Sequence, residues 1–216
     1  MRHPTFHRNN YRGICRSLAA SEPVLARVLE RDGYPPLWRR PPGFATLVRI
    51  ILEQQVSLAA AAAAYRRLLE RVGEVTPESI GSMSDEELRA VGFSRQKARY
   101  VRELAGAVLA GELELDRLPK LSDTDAAAAL TAMLGIGRWS AEVYLMMCLQ
   151  RRDVFPLGDI ALCNSMRHEF GLGAQTPVEE LAALAEPWRP DRSVAAFMLW
   201  HAYILRRNIR VPYEMA

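Results

Sequence analysis

Lysine and cysteine are the scarce residues of this chain. Of the 28 lysines and arginines in its 216 residues, only Lys97 and Lys120 are lysine. An amine nucleophile therefore has two candidates, and none after residue 120. The three cysteines, Cys15, Cys148 and Cys163, are scattered and form no C-x-x-C pair. That pattern excludes a disulfide framework, a zinc ribbon and an iron–sulfur cluster, and it fits a reducing compartment. The first residues, MRHPTFHRNNYRG, have no apolar signal core. No apolar run approaches the ~18 residues that cross a bilayer. A cytoplasmic protein without membrane contact is expected. Net charge is +3, which is compatible with a polyanionic partner and does not demand one.

What remains is strongly helical in pattern. Ile14, Leu18, Leu25, Val28 and Leu29 recur at helical spacing over residues 14 to 32. GYPPLWRRPPG (33–43) then interrupts the chain with prolines and glycines. FATLVRIILEQQ resumes a helix. SLAAAAAAYRRLLERVG gives another, with Ser57 as its cap and Gly73 as its stop. Ser84 and Glu87 form a capping box, Ser94 caps the helix that follows, and Ser122 or Asp123 opens the next. Further helices follow Asp159, Thr176-Pro177 and Asp191. No segment alternates with period two. The spacing predicts an all-α protein of roughly ten short helices, with no long disordered tail.

The stretch TAMLGIGRWSAEVYLMMCLQRRDVFPLGDIAL (131–162) concentrates the functional signals. Leu134-Gly135-Ile136-Gly137 makes a tight turn between two helices, the second opening at Arg138. Glycines there allow backbone angles and close approach that other residues deny. The first amides of the next helix suit a phosphate. On spacing alone, a plain helical turn is an equal reading. Asp159, after Pro156-Leu157-Gly158 and before a helix, is a natural N-cap. A helix N-terminus also favours negative charge, so a cap and a catalyst can be one residue.

Leu134, Gly135, Ile136, Gly137 and Ala141 resemble the helix-hairpin-helix motif, which binds DNA backbone without reading sequence. A Gly/Pro loop ending in Asp159 follows it. That order resembles the helix-hairpin-helix base-excision DNA glycosylases. GIGRWSA, DVFPLGDIAL, ILEQQVS and WRPDRSVAAFMLW resemble their 3-methyladenine DNA glycosylase II branch, from about Phe44 to Leu205.

The resemblance implies two helical lobes, residues 43–151 and residues 1–42 with 152–216, with DNA between them. The branch's extra N-terminal sheet domain is absent from residues 1–42. The resemblance also implies a monomer that acts on damaged bases in double-stranded DNA. Asp159 is then the catalytic carboxylate, and Trp139 and Trp200 line the base pocket. Gly135, Ile136, Gly137 and Arg138 would contact the backbone. Gln54 and Gln55 would fill the gap left by the flipped base, with Gln55 in the plug position. No cofactor is required. A sodium or potassium ion is implied at the main-chain oxygens of Thr131, Met133 and Ile136. Arg95, Lys97 and Arg99 form a basic cluster, either meeting phosphate or facing solvent.

The chemistry is consistent with one carboxylate. A base methylated at a ring nitrogen is cationic and leaves as a neutral molecule, so no general acid is needed. What remains is charge developing on the sugar and a water to capture it. A flipped cationic base favours aromatic faces. The chain departs from the family pattern at several positions. Met133-Leu134 replaces an aromatic–proline pair, Val143 and Ile160 stand where pocket aromatics can occur, and Glu53 takes the place of a small residue. Two other readings are a bifunctional endonuclease III-type glycosylase/lyase and a non-catalytic DNA-binding module. The first needs a lysine two residues after the second hairpin glycine. Trp139 stands there.

Overall fold

The computed structural model describes residues 4–211. Residues 1–3 of the stretch without a signal core, and residues 212–216 at the chain end, lie outside the described residues. Among those described are twelve α-helices and two short 3-10 turns, with a single antiparallel bridge, Thr5 to Arg151, and no strand. The chain divides into two compact units. Of the described residues, one comprises 40–144, and the other 4–39 with 145–211. The transitions fall after Arg39 and Tyr144, rather than after residues 42 and 151.

The middle unit contains α3 (Phe44–Glu53), α4 (Leu58–Val72), α5 (Pro77–Gly81), α6 (Asp85–Ala90), α7 (Arg95–Leu109), α8 (Asp123–Thr131) and the start of α9 (Arg138–Met147). Apolar residues surround α3, and a helix of that kind belongs in a core. Phe44, Leu47, Val48, Ile50, Ile51 and Leu52 are all buried, and α3 packs on α4 and α7. Each such side chain contributes about 1.5–3 kcal/mol relative to exposure. Local signals set the helix ends as expected. Ser57, Ser84, Ser94 and Ser122 each accept a bond from a first-turn amide, and Gly73 closes α4 at φ 74°.

The flanking unit contains α1 (Arg8–Ser21), α2 (Pro23–Asp32), α10 (Ile160–Glu169), α11 (Val178–Ala185), α12 (Arg192–Arg206) and the end of α9. Residues 14–32 are two helices rather than one continuous run. Pro23 lacks the amide a continuing helix needs, and Glu22 caps the second helix by accepting from Val24 N at 3.0 Å. Helix α12 lies at the centre of this unit and packs on α1, α2 and α10. Its Phe197 ring meets Phe6, Trp38 and Trp200 at centroid distances of 5.4, 5.3 and 5.8 Å.

Candidate active site

The hairpin belongs to the middle unit, where its two glycines have different tasks. Gly135 has φ 84°, and a Cβ there would lie 2.2 Å from the Tyr100 ring. It is glycine for conformation and for space. Gly137 has ordinary φ, and a Cβ there would meet nothing within 4 Å. Its openness leaves room for a partner to approach the backbone. Among the described residues, the amides of Gly135, Gly137 and Arg138 donate to no backbone carbonyl. The last two are neighbours at the start of α9, and amides at a helix N-terminus suit an anion. Ile136 is only 3% exposed, so its side chain anchors the turn. Arg138 is exposed and donates to Glu142 Oε1 at 2.8 Å. Trp139 is half-buried.

The loop between α3 and α4 is fastened to this hairpin. Gln54 Nε2 donates to Gly135 O at 2.8 Å and to Ser140 Oγ at 3.0 Å. Its amide nitrogen is therefore used within the protein. Gln55 is exposed, with φ 55°, and Val56 beside it is exposed as well. Lys97 is drawn into this arrangement. Its ammonium donates to Leu52 O and Gln54 O, both at 2.8 Å, and burial lowers its pKa. Lys97 thus ties down the end of α3, while Arg95 and Arg99 stay exposed. Glu53 is buried because Arg40 reaches its carboxylate at 2.8 Å and Arg49 lies 3.9 Å from it. The partner, from the RRPP segment, explains how a charged residue is tolerated where the family pattern has a small one.

Asp159 belongs to the flanking unit and caps α10. Its Oδ1 accepts from Leu162 N at 2.8 Å and from Trp200 Nε1 at 3.0 Å. Two donors therefore fix one carboxylate oxygen in place. Trp200 is nearly buried and stacks on Phe197, so its N–H edge positions the aspartate. That bond crosses two helices and was not legible in the sequence. The loop leading to Asp159 is braced from inside. Ser193 Oγ accepts from Val154 N and donates to Val154 O, both at 2.9 Å. Asp159 N donates to Pro156 O at 2.9 Å. Cys163, its thiol pKa pushed up by burial, donates to Leu157 O at 3.2 Å. Val143 is buried, whereas Ile160, next to Asp159, is 77% exposed.

Comparison with known proteins identifies the family. Residues 48–190 match the family described as HhH-GPD superfamily base excision DNA repair protein. A putative DNA-3-methyladenine glycosylase of Bacillus subtilis is 29% identical over 190 residues, covering 84% of this chain and 66% of its own length. DNA-3-methyladenine glycosylase 1 of Schizosaccharomyces pombe is 32% identical over 161 residues, covering 73% of this chain and 71% of its own. Among solved structures, a 3-methyladenine DNA glycosylase of the same yeast, in complex with abasic DNA, superposes with a TM-score of 0.82 at 29% identity. That match covers 87% of this chain and 95% of the other. No helix among the described residues is long and apolar enough to cross a membrane.

Proposed function

Because the chain belongs to the HhH-GPD superfamily of base excision DNA repair proteins, we propose that it is a monofunctional DNA glycosylase that flips alkylated purines such as 3-methyladenine out of duplex DNA and hydrolyses their N-glycosidic bond. The observation that carries this reading is the single carboxylate of Asp159, fixed by Leu162 N and Trp200 Nε1. The hairpin amides hold a phosphate of the backbone, and Gln55 enters the gap left by the flipped nucleotide. Trp139 offers its ring to the cationic base. As the bond between C1′ and the base nitrogen breaks, its electron pair leaves with the base, which departs neutral. Positive charge grows on the sugar, and Asp159 stabilises it. A water oxygen then bonds to C1′, and its proton passes to the Asp159 carboxylate or to solvent.

Strand cleavage is not part of the reaction. A lyase step needs an amine to form a Schiff base with the sugar. Trp139 stands where the resembled lyases carry lysine, and Lys97 is engaged by two carbonyls. A monovalent cation at the hairpin is part of the proposal. Among the described residues no backbone amide donates to Thr131 O or Ile136 O, and Met133 O accepts only from Ile136 N, at 3.1 Å. Such main-chain oxygens suit a hard cation. When bound, it would add positive charge beside the phosphate. We also place the enzyme in the cytoplasm as a monomer, with its three buried cysteines as free thiols.

The test is base release from methylated duplex DNA, with the products also analysed for nicks and for borohydride-trapped adducts. Free 3-methyladenine with an intact abasic strand is the expected result. A trapped covalent complex would replace this reading with the bifunctional one. Damage-selective binding without base release would replace it with a non-catalytic module.

A further inference from the structure

We propose that a basic concavity formed by α1 and the proline-rich segment 34–39 is a second contact for the phosphodiester backbone of duplex DNA. The proposal rests on the reading above only in taking DNA as the partner. The concavity has a volume of about 690 Å³ and is lined by Arg8, Arg12, Arg39, His7, Tyr11 and Tyr34, among others, with no aspartate or glutamate among the described residues that line it. Elsewhere the arginines are mostly paired with carboxylates. Arg31, Arg71, Arg102, Arg152, Arg192 and Arg206 each reach one. Arg8, Arg12 and Arg39 are exposed, and among the described residues none has a carboxylate partner.

The helix itself shows the same bias. Helix α1 contains no acidic residue, and Arg8, Arg12 and Arg16 recur every fourth position. That spacing places them on one face, about 6 Å apart along the axis. Like charges so placed repel each other in the free protein. An incoming row of phosphates removes the repulsion. A single small anion needs one cation or two, whereas a line of three matches a polymer of repeating charge. The site is also preformed. Tyr11 OH donates to Pro36 O at 3.2 Å, which fastens the proline segment to α1. The Arg12 guanidinium lies over the Tyr34 ring, 5.1 Å from its centroid. Little ordering is then required on binding.

The experiment measures anisotropy of a labelled undamaged duplex across a potassium chloride series. It compares the natural protein with the triple variant Arg8→Gln/Arg12→Gln/Arg39→Gln. The logarithmic salt slope should become shallower by about two to three, at roughly 0.9 per lost phosphate contact. Single-turnover base release at saturating DNA should be unchanged. An unchanged slope overturns the proposal. So does displacement of tripolyphosphate or polyglutamate by the same substitutions without any effect on DNA, because the groove then takes another anion. Removing mutual repulsion should leave melting at or above that of the natural protein. If the triple variant does not fold, Arg39→Gln alone decides, with a slope change of about one. Base release with an unchanged slope faults the groove alone. A shallower slope in a protein that releases no base faults the glycosylase reading alone.

Discussion

At the hairpin, the groups proposed to meet the DNA backbone are main-chain amides, and the buried Ile136 side chain holds the turn. At the Asp159 loop the opposite holds. The main chain is closed on itself and on Ser193, and one side chain is offered. The difference suits the two tasks proposed for them. Phosphate is the same at every nucleotide, so backbone donors that any sequence can supply are enough, provided nothing covers them. Charge stabilisation at one sugar needs a carboxylate at one place, held before the reaction begins. The hairpin should therefore be sensitive to what is added to it, and the loop to what is taken away.

The largest of the expected effects comes from adding a methyl group at the first glycine. Gly135→Ala places a carbon 2.2 Å from the Tyr100 ring, at φ 84°. Strain and overpacking together should cost about 3 kcal/mol, read as a lowered melting temperature. Gly137→Asp should melt like the natural protein, since its side chain meets nothing within 4 Å. It should nevertheless bind damaged and undamaged duplex alike about 30-fold more weakly, or ~2 kcal/mol. Unchanged binding by the folded variant would mean that the glycines only turn the chain. Trp200→Phe keeps an aromatic ring and removes the N–H to Asp159. It should slow single-turnover base release about tenfold, for a charge-assisted bond worth ~1.5 kcal/mol, without altering affinity for undamaged DNA. An equal loss in affinity and rate would make Trp200 a packing residue only.

The smallest effect should come from the tie between the plug loop and the hairpin. Gln54→Leu keeps the volume and drops the donors to Gly135 O and Ser140 Oγ. It should weaken binding by about fivefold, ~1 kcal/mol. Lys97→Met should do the same by releasing Leu52 O and Gln54 O, and the double variant should lose less than the sum. Full additivity would mean that the two residues hold different things.

Short-range chemistry made much of this fold legible. Ser57, Ser84, Ser94 and Ser122 cap helices through bonds to residues three positions away. Gly73 ends α4 through its own φ. The break at Pro23 was within reach too, since a proline preceded by a capping residue cannot continue a helix. The long-range bonds were not. Lys97 looked like part of a basic face because its partner carbonyl on Leu52 is 45 residues away. Trp200 stood out as an aromatic, but its bond to Asp159 spans 41 positions. The hairpin glycines look equivalent as letters. Only the backbone angle and the Tyr100 ring tell them apart.

The most direct measurement is single-turnover release of 3-methyladenine by Asp159→Asn at saturating methylated DNA. An amide keeps the shape, and its oxygen can still accept from Leu162 N or Trp200 Nε1, but the charge is lost. Release should fall by at least a hundredfold, or ~2.7 kcal/mol of barrier, while damaged-DNA affinity and the melting temperature stay near natural values. A loss of less than about tenfold, ~1.4 kcal/mol, would show that the reaction does not depend on this anion.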